Sequence, residues 1–355
     1  MSWWRRPSTS SFAESARRLV GQVVTADEFS GVLVIARDGE VVAEAASGFA
    51  DRAAGRKATV DTRYATASVT KMFTAAAVAR LADRGLVAFD AAVRDVLPRD
   101  WYPDALDETA TVHNLLTHTS NLSEYVPDED PTTPDLWQAL GTPAMRRATD
   151  FLPILAALPQ GSPPGPTATY CNAGYLVLGL VLEATTGVPF ATTIEKEVFQ
   201  VCGMADSAFQ PFDELGEDTA VGYLPLDAED RSWRTNEDLL PFAGSPDGGV
   251  FSTSRDLLKF LLALHAGNLL TAATRRAVLT AWARNDAGDT GFGYGQRIVE
   301  RGGRTWFGHT GEDHGVSARA FHSPADGVSL IVLSNLTHGV GGVWRHLADS
   351  LGPVS

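Results

Sequence analysis

The chain has 355 residues, a formal net charge of −14 and 44% hydrophobic residues. That is enough to bury a full core in one large domain or two intimate ones, and too acidic to favour nucleic acid or an anionic membrane as a partner. Two cysteines, Cys171 and Cys202, make no disulfide framework and have no companions for a metal site, and no run is apolar enough to span a bilayer or act as a secretion signal, so a soluble cytoplasmic protein with both thiols reduced is expected.

Taken in chain order, Ser11 to Val24 reads as an amphipathic helix with Phe12, Ala16, Leu19 and Val23 on one face. Gly31 to Ala36 and Val41 to Ala45 are short apolar runs around Arg37-Asp38-Gly39-Glu40, the pattern of a β-hairpin with an Asp-Gly turn. Next comes Ala67-Ser68-Val69-Thr70-Lys71, leading into an Ala-rich run from Met72 to Leu81 that reads as a buried helix ending near Gly85. Leu86 to Leu97 is read as a connector. From Val112 to about Phe242 strand signals are sparse, and helical patterns are separated by loops such as Pro127 to Pro134 and Pro159 to Pro166. Tyr175 to Thr186 is a helix closing on Gly187. Thr253 to Ala266 is another, with Leu257, Phe260, Leu261 and Leu264 inward. Strand-like runs follow at Tyr294 to Val299, Arg304 to Gly308, Val316 to Phe321 and Val328 to Ser334, and Val340 to Leu351 closes as a helix. An early hairpin and a late meander imply an α+β chain with one antiparallel sheet built from both ends and flanked by helices. Residues 1–86 and 246–355 would form that sandwich lobe, and 87–245 a mainly helical lobe.

Ser68 and Lys71 are three residues apart, so their side chains share one helical face a turn apart. A neutral lysine amine beside a serine can take the hydroxyl proton, which a serine nucleophile needs. Arginine cannot do this, and the chain has only four lysines, at 57, 71, 196 and 259. By itself the pair also fits a helix N-cap beside an exposed lysine. Tyr170-Cys171-Asn172 opens a helix, with Asn172 suited to its N-cap and Tyr170 either core or a proton shuttle. His309-Thr310-Gly311 reads as a strand end with a turn glycine, and Leu115 to Leu122 as a helix end and turn.

Together, in this order, these segments resemble the serine β-lactamase and penicillin-binding protein superfamily, in particular the branch with class C β-lactamases, D-Ala-D-Ala carboxypeptidases, D-aminopeptidases and family VIII esterases. The superfamily pattern is S-x-x-K, then Y-x-N or S-x-N, then K/H-T/S-G on a strand. Ser68–Lys71, Tyr170–Asn172 and His309–Gly311 match it. Leu115 to Leu122 is similar to the branch's L-L-T-H-T-S-G-L, Gly174 to Gly179 to its G-Y-x-L-L-G helix, and Gly248 to Leu257 to its G-G-x-x-S-T-x-x-D-L. The resemblance implies a β-lactamase/transpeptidase-like fold and an acyl-enzyme mechanism without metal or cofactor. Ser68 would be the nucleophile, with Lys71 and Tyr170 moving the proton. Asn172 would hold the substrate's acyl side and Lys71. His309, Thr310 and Gly311 would form the substrate edge, and the N–H groups of Ser68 and Glu312 the oxyanion hole.

Five positions depart from the branch. Cys171 replaces the usual serine and is expected only to pack. Asn121 replaces a glycine, and asparagine tolerates the left-handed backbone the turn requires. His309 replaces a lysine, removing a fixed positive charge. Glu312 and Asp313 stand where many relatives carry small uncharged residues; either both point to solvent, or two carboxylates beside the substrate edge disfavour anionic substrates. The expected function is therefore a serine hydrolase acting on a small ester, amide or short peptide, neutral or amine-bearing. The alternatives are a D,D-carboxypeptidase or β-lactamase, and a catalytically inactive sensor or binding protein of the same fold. No readable pattern sets the oligomeric state.

Overall fold

The computed structural model describes residues 9–24, 29–125, 145–227 and 232–351. The Pro127–Pro134 loop lies outside them. The first helix, α1 (Thr9–Val24), precedes strands β1 (Gly31–Arg37) and β2 (Glu40–Ser47), and Asp38 and Gly39 turn the hairpin at φ 51° and 86°. Helix α2 (Thr70–Asp83) starts one short 3-10 turn after Ala67, and α3 (Val112–Leu116) and α4 (Asn172–Thr186) belong to the helical middle. Helix α5 (Ser254–Ala266) leads to strands β3 (Ala283–Arg284), β4 (Thr290–Phe292), β5 (Arg297–Arg301), β6 (Arg304–Asp313), β7 (Val316–Ser323) and β8 (Val328–Ser334). Helix α6 (Gly341–Ser350) follows.

These strands form one eight-stranded antiparallel sheet in the order β3-β4-β5-β6-β7-β8-β1-β2. The N-terminal hairpin joins at β8, with Gly31 opposite Ser334 and Arg37 opposite Val328. Side chains of a strand alternate between faces, so β1 feeds two cores. Leu33 and Ile35 pack with Phe12, Leu19 and Val23 of α1 and Trp344 and Leu347 of α6. Val32, Val34 and Ala36 join the second core with α2, α4 and the inward row Leu257, Phe260, Leu261 and Leu264 of α5. Helix α2 is buried on nearly every side, from Thr70 through Ala79, because alanines let neighbours close around it. Among the described residues no single helix is long and apolar enough to cross a membrane; α4, the most apolar, is buried from Ala173 to Glu183.

Several boundaries differ from those read in the sequence. Strand β6 runs on to Asp313, so His309-Thr310-Gly311 lie within it and not at its end. The strand expected from Tyr294 starts at Arg297, and β3 and β4 are too short to carry a periodic signal. The middle of the chain also holds short strands at Ala208–Phe209, Tyr223–Asp227 and Ser232–Thr235. The first of these pairs with Val250–Ser252, which in turn pairs with Tyr64–Ala65. Such brief strands are made by long-range pairing, which leaves little trace in local composition.

Candidate active site

Ser68 sits in the 3-10 turn Ala67–Val69, immediately before α2. Ala67 adopts φ 45°, a left-handed backbone that costs an L-residue about 1–2 kcal/mol. This bend turns the chain out of the Tyr64–Ala65 strand and into the helix, leaving Ser68 partly open at the corner. Lys71, a turn later, is fully buried. Its Nζ lies 3.0 Å from Ser68 Oγ, 2.7 Å from Asn172 Oδ1 and 2.8 Å from the Asp247 carbonyl oxygen. An ammonium would donate to all three. A neutral amine would keep two N–H donors for Asn172 and Asp247, leaving its lone pair to accept the Ser68 O–H.

The Asp247 carbonyl is delivered by a tight turn in which Ser245 and Gly248 exchange N–H···O bonds of 2.7 and 3.1 Å. Thr74 Oγ1 donates to the Pro246 carbonyl at 2.6 Å, tying the same turn to α2. Pro246 can approach because α4 carries Gly179 there: a Cβ at that position would come 2.2 Å from Pro246 Cγ. Sequence reading did not single out Asp247, since nothing local links it to a lysine 176 residues away.

Helix α4 brings Asn172 to Lys71. The cap expected of Asn172 is made by Cys171, whose Sγ accepts from Gly174 N–H at 3.4 Å. Cys171 therefore does more than pack, and the Asn172 side chain is freed for Lys71. The Asn172 N–H donates to Glu124 Oε2 at 2.5 Å. His118, buried and at φ 59°, accepts the Cys171 N–H on Nδ1 at 3.1 Å and lays its ring 4.5 Å from that of Tyr170. Burial first, then Lys71 and Arg297, hold this imidazole well below its usual range, so it is neutral. Asn121 adopts φ 53°, the left-handed conformation expected of it.

Tyr170 stands between Lys71, whose Nζ is 5.1 Å from its ring centre, and Arg297, whose guanidinium carbon is 4.7 Å away. Its Oη is shielded and has no hydrogen-bond partner among the described residues. His309 lies across from it, ring centres 6.0 Å apart. The His309 Nδ1–H donates to the Thr310 carbonyl at 2.5 Å, which leaves Nε2 as a buried acceptor without a partner among the described residues. Desolvation, followed by Arg297 and Lys71, keeps this ring neutral as well. Arg297 starts a strand and looks in sequence like an ordinary surface charge; no local signal marks it.

Strand β6 forms the remaining wall. Residues 304–308 pair with β5 on one side, Gly308 opposite Arg297, while that pairing stops before His309. Residues 307–313 continue to pair with β7 on the other side. The half from His309 to Asp313 thus has an edge not taken by β5, and it runs against the Ser68 turn. Gly311 allows this approach, since a Cβ there would lie 2.1 Å from the Thr66 carbonyl oxygen. The Glu312 side chain lies on the other face of β6 from that of Asp313. It is tied to Arg319 at 2.6 Å, accepts from Ser317 Oγ at 2.9 Å and from His338 N–H at 3.2 Å. Asp313 remains at the rim.

Residues 16–350 match the family model described as Beta-lactamase. The esterase EstB of Burkholderia gladioli is 32% identical over 357 residues, covering 91% of this chain and 87% of its own. Penicillin-binding protein 4 of Amycolatopsis lactamdurans is 29% identical over 308 residues, covering 82% of this chain and 77% of its own. A crystal structure of a penicillin binding protein from Bacillus halodurans superposes with a TM-score of 0.85 at 34% identity, over 92% of this chain and 98% of that one.

Proposed function

The chain belongs to the Beta-lactamase family and is a serine hydrolase of that family, and on this footing we propose that it hydrolyses a small ester or amide through an acyl-enzyme on Ser68. The observation that carries the reading is Lys71, buried, 3.0 Å from Ser68 Oγ and oriented by two further acceptors. Lys71 takes the Ser68 proton as Oγ attacks the carbonyl carbon. The N–H groups of Ser68 and Glu312 receive the oxyanion, a contribution of about 2.7–4 kcal/mol per donor in comparable sites. Tyr170 Oη, with no bond to break, passes a proton to the leaving group as the tetrahedral adduct collapses. Water then attacks the acyl-enzyme, with the same groups acting in reverse. Asn172 steadies Lys71 and the acyl side, and the edge His309-Thr310-Gly311 aligns the substrate.

A fluorophosphonate probe should label the protein, with the adduct mapping to Ser68, and p-nitrophenyl acetate should be turned over. Ser68→Ala should lose both while keeping its fold. Comparable turnover in Ser68→Ala would remove the proposal. We also propose a cytoplasmic location, supported by two cysteines that are unpaired, one of them buried. Cell fractionation tests that point.

A further inference from the structure

The cleft around Lys71 is electrically lopsided. On the Tyr170 side stands Arg297. On the opposite side stand three carboxylates, Glu124, Asp247 and Asp313, each coupled to Lys71 or hydrogen-bonded beside it. Glu124 already accepts the N–H groups of Asn172 and Tyr125. Asp247 is only 6% exposed, and its Oδ2 accepts from Tyr125 Oη at 2.9 Å and lies 3.9 Å from Lys71 Nζ. Its Oδ1 is buried without any hydrogen-bond partner among the described residues. A buried carboxylate oxygen left bare is expensive, and such orphans mark places where a ligand completes the bonding. Asp313, the exposed last residue of β6, lies near enough to feel the charges of Asp247 and Lys71. The crowding of the cleft raises its carboxyl to about 7, burial contributing first and repulsion from Asp247 and Glu312 adding to it, against the His314 N–H and Lys71. Its own surface is open, and water there works against that rise.

We propose that Asp247 and Asp313 form a subsite for a primary ammonium carried by the substrate, beside the scissile carbonyl at Ser68. The subsite rests on the reading of Ser68 as nucleophile. An ammonium has N–H donors for Asp247 Oδ1 and for Asp313, and its charge relieves the repulsion between them. A carboxylate placed there would meet two like charges instead. The Glu312 carboxylate takes no part, being held by Arg319.

The test is protection of Ser68 from fluorophosphonate labelling by alaninamide, in both configurations, against the matching N-acetylalaninamide at low ionic strength. The ratio of half-protecting concentrations is internal to each variant, so a general change in reactivity cancels. For the preferred configuration, wild type should be protected by the free amine at concentrations about tenfold lower, as a charge-assisted hydrogen bond would give. Asp247→Asn should bring the ratio close to one and Asp313→Asn should lower it a few-fold, while Glu312→Gln keeps it. A wild-type ratio near one, or one that survives both Asp247→Asn and Asp313→Asn, overturns the subsite. If Asp247→Asn disturbs the Lys71 corner and labels poorly, Asp313→Asn decides. Failure of wild type to label at Ser68 at all would sink the nucleophile assignment, a result distinct from good labelling with an unmoved ratio.

Discussion

On the Lys71 side of Ser68, the lysine reaches three acceptors, the turn from Ser245 to Gly248 is closed on itself, and Asn172 is bonded at side chain and backbone. On the Tyr170 side, by contrast, Tyr170 Oη and His309 Nε2 are buried and have no hydrogen-bond partner among the described residues, whereas on the Lys71 side Asp247 Oδ1 alone of the groups named here is left so. Native proteins leave few buried polar atoms unpaired, so the bare ones need a reason. The difference separates two tasks. The matched side holds the nucleophile and its base in one geometry before substrate arrives. The unmatched side keeps hydrogen-bonding capacity in reserve for groups that exist only while substrate is present.

The largest effect should come from breaking the matched side. Lys71→Met is expected to lower kcat/KM for p-nitrophenyl acetate by about 10²–10⁴-fold, the span of general-base contributions. It should also destabilise the protein, because Asn172 Oδ1 and the Asp247 carbonyl lose their donor at about 1–3 kcal/mol each. Lys71→Arg should be nearly as inactive, since a guanidinium keeps the charge and cannot take a proton. Near-native turnover in Lys71→Arg, read in the same assay, would reduce Lys71 to an electrostatic anchor.

Tyr170→Phe probes the other side and should show the opposite signature. Turnover should fall by about 10²-fold, yet the denaturation midpoint should stay level or rise, because the lost hydroxyl has no partner among the described residues. A stability loss as large as that of Lys71→Met would erase the distinction between the two sides.

A smaller effect is expected from pH. His309 and His118 are held neutral in the fold, while in the unfolded chain they titrate near the ordinary value of 6.5. The unfolded state then binds more protons as pH drops. Stability attributable to these rings is whole above about pH 6.5, and it declines as pH falls below that value until the folded imidazoles themselves protonate. Each contributes at most about 1.4 kcal/mol per pH unit. Denaturation at a series of pH values from 7.5 to 5 should show this slope, and His309→Asn should flatten it. An unchanged slope in His309→Asn would mean that His309 is already protonated in the fold.

Much of this molecule was readable from local sequence. The hairpin around Asp38-Gly39, the inward row of α5 and the strands β7 and β8 lie close to where periodicity and turn chemistry put them. The meeting of Ser68 with Lys71 was equally legible, because three-residue spacing on a helix sets which side chains share a face. Where local rules misled, a distant partner had intervened. Asn172 is a good N-cap by type, but Lys71 claims its side chain and Cys171 takes the cap. Glu312 and Asp313 are neighbours in sequence and alternate across β6, so one meets Arg319 and the other the cleft.

By itself, then, the sequence determined the long helices and the main strands, though not the brief strands made by distant pairing, and it showed which residues could carry serine chemistry and the order in which they come. Only the tertiary structure decided that the Asp247 carbonyl braces Lys71, that β5 stops short and leaves half of β6 open beside Ser68, and that Asp247 Oδ1 and His309 Nε2 find no hydrogen-bond partner among the described residues. The reason is one of range. Helical and strand periodicity act over a few residues and leave a repeating signature, whereas these contacts join segments far apart in the chain through packing, which any single residue records only as its identity.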